Sequence, residues 1–173
     1  EGAVIRPFMF NSPSAYKYYP QTLRTPSKPT KESQCMHIPR ICKANPKKHY
    51  GYSERCWGLT ASDYHGGYTA SSPTNDMGTI APTAGRASMP YTPQESKKAM
   101  EYFYYVLGDK LFGKYGCYDA FTLGKKWFAS SYIAIDQGPI VVMIENYRTG
   151  LLWDLFMKNE EVLAGLDKLG FSY

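Results

Sequence analysis

The stretch from Asp136 to Met157 constrains this chain more than any other. Asp136-Gln137-Gly138-Pro139 reads as a helix start. Asp136 or Gln137 can serve as the N-cap, and Pro139 falls in the first turn, where a missing N–H costs little. The residues that follow, Ile140-Val141-Val142-Met143-Ile144, leave almost no polar side. A helix that is apolar all round has to be enclosed by other elements. The chain is therefore expected to fold around this segment as an inner helix.

The rest of the pattern is also helical. Thr92-Pro93-Gln94-Glu95 is a capping box, with Thr92 as N-cap and Glu95 three residues on. Ala99, Met100, Phe103, Val106, Leu107 and Leu111 then recur at helical spacing, and Gly113 stops the run. A short helix is expected over 79–89, with Pro82 in its first turn and Pro90 ending it. Another is expected near 125–133. A last amphipathic helix over about 160–169 ends at Gly170. Strand signals are weak, and the fold class is mainly α.

Residues 1–42 differ. Residues 1–34 carry Pro at positions 7, 13, 20, 26 and 29, with no helical or alternating apolar pattern, and the whole of 1–42 reads as an irregular segment. Asn45-Pro46 marks a turn, after which the ordered domain, residues 43–173, begins. The net charge of +5 belongs to the N-terminal part: residues 1–50 hold 9 Lys/Arg against 2 Asp/Glu, and residues 51–173 hold 11 against 13. The basic residues are scattered among Pro, Ser and Thr without a stripe, so nucleic-acid binding is not expected. No apolar run reaches the roughly 18 residues of a membrane span. Cys35, Cys42, Cys56 and Cys117 include no CxxC pair, which argues against a zinc site, and no metal or other cofactor is implied. The spacing of Cys35 and Cys42 permits a bridge without requiring one. His37, His49 and His65 have no companions at ligand or catalytic spacing.

Three segments could carry chemistry. Gly51 to Asp76 is rich in Gly, Ser, Thr, Tyr and Asp and reads as a long ordered loop. Within it Trp57, Thr60 and Asp63 place an indole beside hydroxyls and a carboxylate, a combination that suits a sugar. By pattern alone, a loop anchored by a buried Trp with Asp63 in an Asx-turn is the commoner arrangement. The second segment is Asp136-Gln137. A carboxylate at a helix N-terminus is held ionised by the dipole and by backbone N–H groups, and can activate water; it can equally be only a cap. The third is Glu145 with Arg148, three apart on one helix face and able to pair. The 16 Tyr suit stacking on flat ligands, or simply an aromatic core.

Taken in order, Trp57–Asp63 (WGLTASD), GTIAPTA at 78–84, SMPYTPQES at 88–96, IDQGPIVVMIENYRTGLLWDLFM at 135–157 and GLDKLGF at 165–171 resemble the glucoamylase-like glycoside hydrolases. Endo-β-1,2-glucanases are among that family's members. The resemblance covers about residues 43–173 and implies an (α/α)6 toroid of inner and outer helices, with a glucan groove at one end of the rings. It implies Asp136 as the catalytic base or water-positioning carboxylate. Trp57, Thr60, Asp63, Gln137, Glu145 and Arg148 become substrate-binding or site-organising residues. A glucan or oligosaccharide substrate and a periplasmic or extracellular location follow from the same resemblance.

Twelve helices of about 11–12 residues joined by about 5 need close to 200 residues. The matched block has 131. A closed toroid therefore needs an N-terminal half or a second chain, and the general acid is expected there. Gly85-Arg86 also interrupts an otherwise small and apolar segment, so Arg86 needs a partner or an opening. A non-catalytic carbohydrate-binding or interaction module is the alternative reading.

Overall fold

The computed structural model describes residues 49–72 and 74–171; the expected irregular segment 1–42, with Cys35, Cys42 and His37, lies outside them. The described part is mainly helical. A hairpin comes first, β1 (Ala61–Tyr64) with β2 (Gly67–Ala70), followed by helices α1 (Pro82–Arg86), α2 (Pro93–Tyr105) and α3 (Gly108–Leu111). Two small antiparallel ribbons follow: β3 (Phe112–Gly113) with β4 (Gly116–Cys117), and β5 (Phe121–Thr122) with β6 (Trp127–Phe128). Helices α4 (Ala134–Thr149), α5 (Leu151–Phe156) and α6 (Glu160–Lys168) complete the order. No helix among the described residues is long and apolar enough to cross a membrane.

Helix α1 is the hub, packed against α2 on one side and α4 on the other. Its Gly85 makes this possible, because a Cβ there would lie 3.3 Å from the Phe103 ring. The main core joins Trp57, Leu59 and Ile80 to the buried stripe that runs from α2 through the turn into α3, namely Ala99, Phe103, Leu107 and Leu111. Phe103 meets Phe121 edge-on, with ring centroids 5.7 Å apart. Each such side chain contributes about 1.5–3 kcal/mol through burial. A smaller cluster of Ala87, Tyr91 and Met143, with Val142 and Trp153 against it, joins α4 and α5 to the same body.

Several expected elements form differently. The 79–89 helix is shortened to Pro82–Arg86, because Ile80 is extended and exchanges both backbone hydrogen bonds with Phe121, each 2.9 Å. Helix α2 starts at Pro93 as expected, but Thr92 makes no capping bond. Its hydroxyl instead donates to the Ser88 carbonyl at 3.3 Å and lies 3.2 Å from the Ser96 hydroxyl. The stripe to Leu111 is split by a turn at Val106-Leu107. Where a helix was expected near 125–133 there is a 3-10 turn, Leu123–Lys125, and then strand β6. The Gly51–Asp76 loop contains the β1–β2 hairpin, whose Ser, Thr, Gly and Tyr residues carry too little apolar alternation to signal strands.

The expected single helix over 136–157 is divided, and among the described residues it is enclosed on one face. Helix α4 ends at Gly150, which takes φ +72°, and α5 begins directly after it. Its N-cap is Ile133, and Asp136 is the third helical residue. Only one face is buried, through Asp136, Pro139, Ile140, Met143 and Asn146, while Val141 is 71% exposed. The final helix runs from Glu160 to Lys168, as expected, with Asn159 capping it through bonds from Glu161 and Val162 N–H.

Candidate functional site

Three acidic side chains from distant parts of the chain meet beneath the hairpin. Asp63, on β1, donates its backbone N–H to Asp119 Oδ2 at 2.8 Å. Its own carboxylate accepts from the Ser131 hydroxyl. Asp119 lies between β4 and β5, 1% exposed, with its N–H bonded to the Ser131 carbonyl at 3.0 Å. Asp136 is 6% exposed in the first turn of α4. Its backbone carbonyl accepts from the Thr83 hydroxyl of α1 at 2.6 Å, which ties the start of α4 to the hub. Asp136 lies near enough to Asp119 to affect its titration.

The electrostatics follow from this crowding. Burial pushes the Asp119 carboxyl above its ordinary value; the bonds from Asp63 N–H and with Asp136 pull it down, and the Asp63 charge pushes it up again. Tyr68 faces Asp63 across the hairpin and stands over the cluster, 53% exposed. Its phenol is raised by desolvation and then by the charges of Asp136, Asp119 and Asp63. A half-exposed aromatic ring beside three carboxyl groups can stack on a sugar, while the carboxyl groups accept hydroxyl hydrogen bonds and protons.

The expected residues divide accordingly. Asp63 and Asp136 come together. Trp57 does not act at the surface: it is 1% exposed, inside the main core, and offers no ring face to a ligand. Thr60 is buried as well, so the stacking and hydroxyl-binding roles expected for these two have no exposed surface to act through. Gln137 spends its amide on the Cys117 carbonyl at 3.0 Å. Glu145 does pair with Arg148, at 3.4 Å, and also takes the Thr149 hydroxyl at 2.8 Å. That pair sits nine residues along α4 from Asp136, about 13 Å at 1.5 Å per residue, on an exposed surface. Arg86 finds the partners it needs in Cys117 Sγ at 3.1 Å and the Phe112 ring at 5.9 Å. Burial raises the Cys117 thiol, and Arg86 partly offsets this.

Asp119, Ser131 and Tyr68 are the residues that sequence reasoning missed. Asp119 sits in the sequence Tyr118-Asp119-Ala120, where nothing local separates it from an ordinary turn aspartate.

Residues 27–160 match the model of the Glycoamylase family, described as putative glucoamylase. An exo-β-1,2-glucooligosaccharide sophorohydrolase (non-reducing end) of Parabacteroides distasonis is 47% identical over 132 residues, covering 75% of this chain and 18% of that protein. The endo-β-1,2-glucanase of Chitinophaga pinensis, solved with sophorotriose and glucose, superposes with a TM-score of 0.85 at 46% identity, covering 92% of this chain and 40% of that one. A glucoamylase-like protein of Bacteroides uniformis gives 0.86 at 51% identity, covering 91% and 39%. This chain thus spans about two-fifths of those solved relatives, and under a fifth of the curated one. On the family match and these identities together, the chain belongs to the Glycoamylase family of glucoamylase-like proteins.

Proposed function

We propose that this chain supplies the base side of a glycoside hydrolase active site that cleaves β-1,2-linked glucan. The observation that carries the reading is the buried Asp136 carboxyl group at the start of α4, held among Asp63, Asp119 and Tyr68. In an inverting reaction Asp136 takes a proton from water as the water oxygen bonds to the anomeric carbon, and a second carboxyl group protonates the departing oxygen. Inverting carboxyl pairs stand about 6.5–9.5 Å apart. Asp119 is 1% exposed and one of its oxygens is taken by Asp63 N–H, so it is poorly placed to reach a departing sugar oxygen. In this reading the general acid comes from outside the described residues.

The substrate class rests on the relatives, whose names specify β-1,2-glucan and its oligosaccharides. In this reading Asp63 binds sugar hydroxyls and Tyr68 supplies the stacking ring in place of Trp57. Glu145 and Arg148 order the outer end of α4 rather than touch sugar, and Gln137 fixes the segment before α4. The helices form part of an (α/α)6 toroid. Its remaining helices, from an N-terminal half of the protein or a second chain, cover the apolar side chains that α4 and α5 leave exposed, among them Val141, Leu155 and Phe156. A periplasmic or extracellular location suits a polymeric glucan substrate.

The test incubates the purified protein carrying this chain with linear β-1,2-glucan, β-1,3-glucan and starch, and measures released reducing ends. Release from β-1,2-glucan alone is expected, reduced by at least about 100-fold in Asp136→Asn. Undiminished release by that variant removes the base role. Binding without release supports instead a carbohydrate-binding module.

A further inference from the structure

Resting on the β-1,2-glucan reading, we infer that Tyr115, Tyr118 and Tyr132 form a second sugar-binding platform, which stacks the part of the glucan chain that extends away from Tyr68 and the carboxyl cluster. The three rings form a row. Tyr118 and Tyr132 lie with ring centroids 5.1 Å apart, and Tyr115 and Tyr132 meet edge to face at 5.5 Å. None of the three belongs to either apolar cluster of the core. Tyr115 is 69% exposed at the turn of the β3–β4 ribbon, and Lys114 Nζ stands 5.1 Å from the centre of its ring.

The fold holds these rings in place. The Tyr132 hydroxyl accepts from Tyr115 N–H at 3.4 Å. A Cβ on Gly113 would lie 2.2 Å from the Tyr132 hydroxyl oxygen and 2.6 Å from that of Tyr118, so both phenols converge on the ribbon where only glycine leaves room. Rings fixed before the ligand arrives lose little entropy on binding. The Tyr115 and Tyr118 hydroxyls make no hydrogen bond with the described residues, which leaves them for sugar hydroxyls. The occupant follows from what the row adjoins. Tyr118 precedes Asp119 and Tyr132 follows Ser131, with consecutive Cα atoms about 3.8 Å apart. Asp119 N–H bonds the Ser131 carbonyl, the Ser131 hydroxyl bonds the Asp63 carboxylate, and Asp63 N–H bonds Asp119. The platform is thus carried by the same two segments that hold the carboxyl cluster. Stacking rings with free hydroxyls suit a neutral sugar chain. One ammonium beside them is too little charge for a nucleic-acid backbone.

The experiment measures kcat and KM of the full protein carrying this chain on short and long fractions of linear β-1,2-glucan. Tyr115→Ala is expected to raise KM about tenfold on the long fraction and less than about twofold on the short one, with kcat little changed on both. Tyr115→Phe keeps the ring and is expected to stay within about twofold of the parent. Gly113→Ala displaces the Tyr118 and Tyr132 phenols without removing a ring, and is expected to reproduce the loss on the long fraction. Tyr50→Ala, at an exposed tyrosine outside the row, is expected to change neither fraction. An unchanged KM on the long fraction in Tyr115→Ala, or an equal rise on both fractions, overturns the platform. A phenylalanine variant as weak as the alanine one overturns the stacking role. A lower Tm in Tyr115→Ala with KM unmoved means that another part of the protein covers the row, and also overturns it. A parent protein that neither binds nor cleaves β-1,2-glucan fails the reading beneath, so the two failures are distinguishable. Because Tyr115 is exposed, its replacement reports even if Gly113→Ala does not fold.

Discussion

Gly58 offers the sharpest test of how the hairpin is anchored. It takes φ +150°, and a Cβ built on it would lie 2.5 Å from the Ala81 carbonyl oxygen, about 0.9 Å inside ordinary contact. The obstacle is backbone that cannot swing aside, because Ala81 N–H is bonded to the Gly58 carbonyl at 2.9 Å and Ala81 caps α1. Its neighbours Trp57 and Leu59 are fully buried, so neither segment moves without disturbing the core. For Gly58→Ala, backbone strain costs about 1–3 kcal/mol and overpacking about 1–3 kcal/mol more. The sum of about 2–6 kcal/mol is a large share of a typical 5–15 kcal/mol. Gly67 provides the control: its φ is +131°, yet a Cβ there meets nothing within 4 Å. Gly67→Ala should show the strain alone, about 1–3 kcal/mol, and both variants gain the same small amount from a stiffer unfolded chain. Urea unfolding followed by circular dichroism gives both values. Equal losses for the two variants would refute the clash, and with it the claim that Gly58 is selected by the approach of Ala81.

Two further measurements probe other joints. Asn146 Oδ1 accepts from Leu152 and Trp153 N–H at 2.9 and 3.3 Å, capping α5 where Gly150 has no side chain to do so. Asn146→Ala is expected to cost about 1–2 kcal/mol and to speed amide exchange at Leu152 and Trp153, while Asn146→Asp keeps the acceptor; unchanged exchange in the alanine variant would remove the cap. The Asp119 carboxyl is raised from 3.8 in the fold, chiefly by burial. Its contribution to stability is therefore whole below about pH 3.8 and is lost as pH rises through the folded value. Asp119→Asn should gain stability relative to the parent as pH rises from 4 to 7, and a difference independent of pH would contradict the burial argument.

The sequence made the helices legible where pattern and boundary coincide. Pro93 begins α2, Gly170 follows the end of α6, and Ala99, Phe103, Leu107 and Leu111 all face the core. It misled where one apolar run met two environments. Ile140 and Met143 are buried while Val141 is exposed, because periodicity reports only that residues are apolar, not how many neighbours are there to cover them. The short ribbons were hidden because two-residue strands are fixed by partners far along the chain, as Ile80 is by Phe121. The site was half legible for the same reason. Asp63 and Asp136 sit in distinctive motifs, whereas Asp119 gains its meaning from the Asp63 N–H, which lies 56 positions away.

Those distances also order events in time. The bonds that assemble the carboxyl cluster join residues 53, 56 and 68 positions apart, between Thr83 and Asp136, Asp63 and Asp119, and Asp63 and Ser131. The hairpin turn and the helices close within a few residues and need no such loops. Closing long loops is entropically costly and comes late. The protein therefore acquires its hairpin and helices before it acquires the acidic cluster, and the crowding of three carboxyl groups is met together with the closure of the core, whose Ile80–Phe121 pairing also joins distant residues.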